Sequence, residues 1–414
     1  MSYKESLAWL YSLQRFGIKL GLGNIRRLIA ELDVDLGGAQ IIHVAGTNGK
    51  GSVCAMIDSI CRAAKYRTGL FTSPHLITFR ERIRLNGKMI SENEVATGLT
   101  TIRNLAADWN PHPTFFEITT ALALKHFADA KPARRSLGER GIDIVILETG
   151  LGGRLDATNA LQSNVAAITP IALDHQEWLG DSLAKIAAEK AGIVKAKTPI
   201  VSAPQPAEAE CVINLRANEC DSPLQFVDRA YNKSPVALRG EHQKLNAAIA
   251  IAAIRAIKIK IGDAAVAQGL ATIEWPGRFQ CWDKRTVIDG AHNPAAAKIL
   301  VDTWRVIFAD ERATLILAIL SDKDLRAICE MLAPIADSIL LPKLRTERAA
   351  DPIELQKVFV DLGRESGTAA SFGEAFAKAR EKPASILITG SLHFAGEALA
   401  HLQGRPAAFE ECAQ

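Results

Sequence analysis

The sequence lacks the marks of several protein classes. Its seven cysteines (Cys54, Cys61, Cys211, Cys220, Cys281, Cys329 and Cys412) are scattered, odd in number and include no CxxC pair. That argues against a structural zinc site and for a reducing compartment. No apolar run is long enough for a signal-peptide core or a membrane span, and the opening residues, MSYKESLAWLYSLQRFG, hold neither. An excess of one charge is missing too. The formal net charge of +3 gives no electrostatic case for a nucleic-acid or membrane partner. No internal repeat, coiled-coil heptad or low-complexity tract stands out. The basic stretch KPARRSLGERG (Lys131 to Gly141) reads as a solvated loop. These absences point to a cytoplasmic globular protein.

What is present is ample core. Hydrophobic residues make up 48% and charged residues 23% of 414 positions, which suits two or three domains. Short apolar runs alternate with helical patterns, the mark of an α/β sheet fold. The predicted strands of the first part are IIHVA (Ile41 to Ala45), RTGLF (Arg67 to Phe71), IDIVILE (Ile142 to Glu148), VAAIT (Val165 to Thr169) and TPIVSA (Thr198 to Ala203). Helical stretches lie between them. In one of these, SVCAMIDSICRAAK, Cys54 and Cys61 are expected to pack inward. A long helix is predicted from Glu241. After Trp275 the turn signal WPGRFQ is followed by a second α/β series: TVIDG, ATLILAIL, DSILL and SILITG. The domain boundary is placed at residues 278–284, giving domains of 1–280 and 281–414.

HVAGTNGKGSV follows a predicted strand and opens a helix, the setting a phosphate-binding loop needs. Glycines let backbone N–H groups approach phosphate oxygens, and the helix N-terminus adds partial positive charge. Gly49, Lys50, Gly51 and Ser52 are the candidates, with Lys50 as the point charge and Ser52 as a hydroxyl for phosphate or metal. The strict GxxxxGK[ST] spacing is not met, because Gly46 stands too close and Gly51 intervenes.

Other candidates sit at strand ends. Glu148 closes IDIVILE, where an α/β sheet binds ligands, although a solvated strand-end glutamate reads the same way. A hard-oxygen ion such as magnesium needs little more than one carboxylate, a hydroxyl and phosphate oxygens. Ser73 lies in a strand-exit turn, FTSPHL. His175 follows VAAITPIALD, and Lys190 lies in AAEKAGIVK, where a helix-surface lysine is the plain reading. Asn246 and Gln243 share a helix face and either meet solvent or a nucleotide base edge. Arg278 stands at the boundary, where domain closure can carry its planar fork onto phosphate. Asp289 and His292 leave the first strand of the second part. Asp156, Thr114, Phe115 and Phe116 offer an acid and two aromatic faces for a flat heterocycle, or simply core.

The ordered set GTNGKGS, FTSPHL, LETGLGGRLDATN, DHQEWLGDS, EKAGI, EHQKLN, WPGR and DGAHN resembles the folylpolyglutamate synthase/dihydrofolate synthase family of the Mur ligase superfamily, from about Gly17 to Ser391. The resemblance implies an N-terminal P-loop ATPase-type domain with a mainly parallel sheet, plus a smaller C-terminal Rossmann-like α/β domain. It implies ATP and Mg²⁺, with Gly49, Lys50, Gly51, Ser52, Asn246, Arg278 and Asp289 on the nucleotide. It further implies Ser73, Glu148, His175 and a carbamylated Lys190 at the metals, with Lys50, His175, Lys190, Asp289 and His292 in the chemistry. On the acceptor side it implies Ile18, Lys19 and Leu20, Thr114, Phe115 and Phe116, and Leu155, Asp156 and Ala157. His393 stands where tyrosine is expected. The activity implied is attachment of L-glutamate to dihydropteroate, to reduced folates, or to both, by a monomer. A Mur-type peptidoglycan-precursor ligase, a non-catalytic ATP-binding switch and a plain ATPase are the alternatives. The length and the lack of an N-terminal uridine-binding domain count against the first.

Overall fold

The computed structural model describes residues 1–13, 21–130 and 141–410. The first eight strands are β1 (Gln40–Ala45), β2 (Thr68–Phe71), β3 (Ile83–Leu85), β4 (Lys88–Met89), β5 (Ile144–Glu148), β6 (Val165–Ile168), β7 (Ile200–Ser202) and β8 (Leu224–Phe226). They form one sheet in the order β4-β3-β2-β5-β1-β6-β7-β8. The run from β2 to β8 is parallel, and β3 and β4 add an antiparallel edge. The inner strands are buried along their length, as parallel strands covered on both faces must be.

A second sheet contains β9 (Gln280–Cys281), β10 (Thr286–Ile288), β11 (Ala313–Leu317), β12 (Ala336–Pro342), β13 (Gly367–Ala369) and β14 (Ile386–Thr389). Its order is β13-β12-β11-β14-β10-β9, and only β9 runs antiparallel. The α/β class and the two-sheet organisation agree with the sequence expectation. The extra strands β3, β4, β8, β9 and β13 are two or three residues long, too short to show a period.

One apolar cluster joins the helix Lys50–Ala63 to the helix Glu241–Ala256 over the first sheet. Cys54 and Cys61 are fully buried there. Register places the chemistry: Val44 lies opposite Glu148, Leu147 opposite Phe71, and Ala45 opposite Ile168. The segments that leave β1, β2, β5 and β6 therefore emerge side by side at the carboxyl edge of the sheet, where open α/β sheets bind ligands.

Candidate functional site

Two glycines shape the loop after β1. A Cβ on Gly46 would stand 1.9 Å from Thr169 Oγ1. Gly49 has φ +91°, and a Cβ there would stand 2.9 Å from Asn246 Oδ1. The left-handed backbone and these close approaches leave no room for a side chain. Lys50 opens the helix and folds back, its Nζ donating to the carbonyls of Gly46 (3.0 Å) and Thr47 (3.2 Å). Ser52 is buried and its Oγ accepts from Gln243 Nε2 at 3.4 Å. Gln243 Oε1 in turn accepts from Asn246 Nδ2 at 3.0 Å. Gln243 and Asn246 thus do not face solvent; they brace the loop from the neighbouring helix.

Glu148 and Ser73 form the next part. The Ser73 backbone N–H donates to Glu148 Oε2 at 3.1 Å, and Ser73 Oγ is buried without a hydrogen-bond partner. Burial raises the Glu148 carboxyl above its ordinary range, against the pull of Lys50 and Arg278. Both residues line a cleft of about 430 Å³ with Gly51, Trp275 and Arg278. An orphaned hydroxyl beside a buried carboxylate suits a hard cation such as magnesium, which takes oxygen ligands and keeps several waters. Among the described residues no three His, Cys, Asp or Glu side chains gather tightly enough to hold a metal unaided. Phosphate oxygens or water would have to complete the set.

His175 belongs to a different group. It has φ +52° and caps the short helix Gln176–Leu179. Burial pushes its imidazole down to about 4, against the attraction of Asp174. Asp174 is the centre of a bridge between the two sheets. It accepts from Lys323 Nζ at 2.7 Å and from Asn293 Nδ2 at 3.1 Å, and His292 Nε2 lies 3.7 Å away. Burial opposes its ionisation, but the two imidazoles and the Lys323 ammonium outweigh that and hold its carboxyl well below the usual range. Asn48 of the loop and Asn293 exchange side-chain hydrogen bonds at 3.2 and 3.0 Å.

Lys190 is not a surface residue: it is 4% exposed, and its Nζ donates to Gly46 O at 2.8 Å. Ile186, Ala187 and Ala191 share its buried face of the helix Leu183–Ala191 at helical spacing and turn that face inward. Arg278 lines the cleft with Glu148, and its Nη1 lies 2.9 Å from where a Cβ on Gly290 would be, so it stands between the exits of the two sheets. Asp289 accepts from the backbone N–H groups of Phe279 (2.7 Å) and Ala291 (2.8 Å), pinning the WPGR turn to the exit of β10.

The acceptor-side candidates are largely turned inward. Asp156 Oδ2 accepts from the N–H groups of Gly150 and Leu151, and Oδ1 from Thr158 N and Oγ1. Its carboxylate therefore braces its own loop, with Ala157 buried and Leu155 half-buried beside it. Thr114 caps the helix Phe115–Asp129 in a capping box with Glu117. Phe115 is core, stacked on Tyr11 at 5.8 Å. Phe116 is half-buried and packs against Gly150. Ile18, Lys19 and Leu20 lie outside the described residues, as does most of the basic stretch at 131–140. His393 is buried and meets Phe409 edge-on at 5.0 Å.

Asn48, Asn293, Lys323 and Trp275 were not singled out from the sequence, although Asn48 and Asn293 lie inside the motifs GTNGKGS and DGAHN. Trp275 places its indole nitrogen 3.1 Å from where a Cβ on Gly51 would be.

A family model described as "Mur ligase, glutamate ligase domain" matches residues 277–392. The dihydrofolate synthase/folylpolyglutamate synthase of Bacillus subtilis is 34% identical over 95% of this chain and 97% of its own length. Escherichia coli FolC in complex with DHPP and ADP superposes with a TM-score of 0.85 at 31% identity, covering 98% of both chains. The bifunctional folylpolyglutamate synthase/dihydrofolate synthase of Yersinia pestis, complexed with AMPPNP and Mn, gives 0.86 at 31% identity, covering 97% of this chain and 98% of that one. With similarity of this extent running through both sheets and the junction between them, the chain belongs to the dihydrofolate synthase/folylpolyglutamate synthase family.

Proposed function

We propose that this chain is an ATP-dependent ligase that joins L-glutamate to dihydropteroate, to the glutamate tail of a reduced folate, or to both. The carrying observation is convergence at one junction. The loop with Lys50, the Ser73–Glu148 pair, Arg278 and the Asp174 bridge to Lys323 and Asn293 all meet between the two sheets. The ADP and DHPP of the E. coli neighbour and the AMPPNP and Mn of the Yersinia neighbour are ligands of the kind such a junction suits.

The reaction has two steps. A carboxylate oxygen of the acceptor attacks the γ-phosphorus of ATP, the bond to the bridging oxygen breaks, and ADP leaves. The amine of glutamate then attacks the acyl carbon, loses a proton, and inorganic phosphate departs. Positioning and charge neutralisation carry the first step. Lys50 and Arg278, both close enough to act on Glu148, supply fixed positive charge at the junction. Held by Ser73 and Glu148, magnesium would neutralise charge on the transferring phosphoryl group. His175 and Lys190 are assigned to a second metal position in the same proposal, and Asn246 to the loop that cradles the nucleotide.

His292 suits the second step. Its Nδ1 donates to Gly290 O at 2.8 Å, so Nε2 carries the lone pair, and burial keeps the ring neutral. A proton taken from the attacking amine would leave an imidazolium 3.7 Å from Asp174, which stabilises it. Asp289 holds the turn that carries Arg278. The acceptor is assigned to the Phe116–Gly150 wall, with Asp156 fixing that loop from behind.

We place the division of labour at residues 278–284, nucleotide on 1–280 and glutamate on 281–414. The separate sheets and the extent of the glutamate-ligase match support it. We also infer a cytoplasmic monomer acting on small molecules, without nucleic-acid or membrane partners. The small net charge gives no electrostatic case for a nucleic-acid or membrane-surface partner, and no helix among the described residues is long and apolar enough to cross a membrane. The test is phosphate release from Mg-ATP and glutamate with dihydropteroate, with tetrahydrofolate, and with neither. Release that needs both glutamate and a pterin acceptor is expected. Release without an acceptor marks a plain ATPase, and nucleotide binding without release marks a switch.

A further inference from the structure

The loop that follows Ser73 is held from far away in the chain. Leu76, Ile77, Thr78 and Phe79 present four successive backbone N–H groups. Glu81 accepts the first three, at 2.9, 2.9 and 3.0 Å. The fourth, from Phe79, goes to Glu410 Oε2 at 2.6 Å. The same carboxylate accepts from Thr78 Oγ1 at 3.1 Å, and the Tyr3 hydroxyl lies 3.0 Å from each of its oxygens.

The Glu410 backbone is fixed as well. Its N–H donates to Ile77 O at 2.8 Å. Arg82 Nε donates to His75 Nδ1 at 2.9 Å, so His75 carries its proton on Nε2 and donates to Glu410 O at 3.2 Å. Phe409, one residue earlier, packs on His393 of the helix Leu392–Leu402, which belongs to the second sheet's layer. That helix also meets the loop backbone to backbone: a Cβ on Gly396 would stand 2.0 Å from Leu76 O. Leu76 itself is part of the second domain's apolar cluster with Ile288 and Phe394.

We propose that Glu410 is a positioning residue for the ligase site, setting the loop that presents Ser73 Oγ beside Glu148 and tying that geometry to the docking of the second domain. This rests on the ligase reading above, in which Ser73 and Glu148 hold the divalent ion. Glu410 touches neither substrate nor metal. It acts through Ile77, Thr78 and Phe79, four to six residues downstream of Ser73, in a short segment anchored at Ser73 N by Glu148 and at Leu76 N by Glu81.

The test compares Glu410→Ala, Glu410→Gln and Asp351→Ala with the parent chain. Asp351 caps the helix Pro352–Asp361 through Ile353 N and lies in none of this machinery, so its loss is a matched structural control. Two readouts are taken: hydrogen exchange at the amides of Leu76 to Phe79, and calorimetric binding of Mn²⁺ in the presence of AMPPNP. Glu410→Ala is expected to speed exchange at Phe79 and to weaken Mn²⁺ by about 10–100-fold, the usual cost of losing a group that orients a metal ligand. Glu410→Gln, which keeps an accepting oxygen, should recover most of both, and Asp351→Ala should move neither. Unchanged exchange in Glu410→Ala overturns the hold of Glu410 on the loop. Faster exchange with unaltered Mn²⁺ affinity overturns its link to the site. A parent chain that binds no Mn²⁺ with AMPPNP removes the ligase reading, and the proposal with it, before any variant is compared.

Discussion

Lys50 and Lys190 donate to the same carbonyl oxygen, that of Gly46, from 3.0 and 2.8 Å. They come from different helices, and Lys190 is almost wholly buried. Burial, reinforced by the Lys50 charge, pushes Lys190 down to about 7. A neutral amine there is a nucleophile for carbon dioxide. Forming the N–C bond releases a proton and yields a carbamate, which turns repulsion from Lys50 into attraction. We expect a carbamate carbon resonance when the protein is equilibrated with isotopically labelled carbon dioxide, and none in Lys190→Gln. The same silent spectrum in both proteins would remove the carbamate from the account.

Lys50 supplies fixed positive charge to the transferring phosphoryl group in the proposed reaction. Removing one such preorganised contact costs about 2.7–4 kcal/mol of barrier. Lys50→Ala should therefore lower kcat by at least about 100-fold while the fold persists, since its side chain supports only two loop carbonyls. Steady-state rates alongside a thermal melt check this. Near-normal turnover would show that the loop does not serve catalysis.

The Asp174–Lys323 pair joins the two sheets, and each side chain is only 7% exposed. Truncating one partner of a buried pair leaves an uncompensated charge and costs about 3–5 kcal/mol. Lys323→Ala should lower the melting temperature and loosen the packing of one sheet domain on the other, visible as a larger radius of gyration in small-angle scattering. A melt within a degree or so of the parent would mean that the bridge is solvated, not structural.

Acid should weaken the fold through buried neutral histidines. His43 sits fully buried in β1 and bonds to Thr158 Oγ1 at 2.7 Å. Burial, with Lys195 adding to it, depresses its imidazole from 6.5 to about 3. A depressed pKa contributes stability that is complete above the unfolded value and is lost as pH falls. The window is therefore pH 6.5 down to about 3, with a slope of at most roughly 1.4 kcal/mol per pH unit for one group. His43→Gln removes this titration and should flatten the stability curve across that window in denaturant melts. An unaltered slope would assign the acid sensitivity to other groups.

Much of the site was legible because it is local. The apolar run before Gly46 and the helix after Lys50 announce a strand–loop–helix, and Glu148 marks the end of an unmistakable strand. The short edge strands carried no period to read. Lys190 looked like a surface lysine because a charged side chain in an alanine-rich helix fits an exposed face as well as a buried one, and only the close approach of Gly46 decides between them. Asp156 looked available to a ligand, yet four local donors consume it, a matter of loop conformation. Glu410 and Phe79 lie 331 positions apart, and nothing local in either segment signals the other.

The central claim is that an acceptor carboxylate is activated by phosphoryl transfer at this junction. The most direct measurement supplies dihydropteroate whose carboxylate oxygens carry a heavy-oxygen label, with Mg-ATP and glutamate, and weighs the phosphate released. We expect one labelled oxygen in each phosphate formed and the other retained in the amide of the product. Phosphate that carries no label from the carboxylate, released at the same rate, would contradict the account.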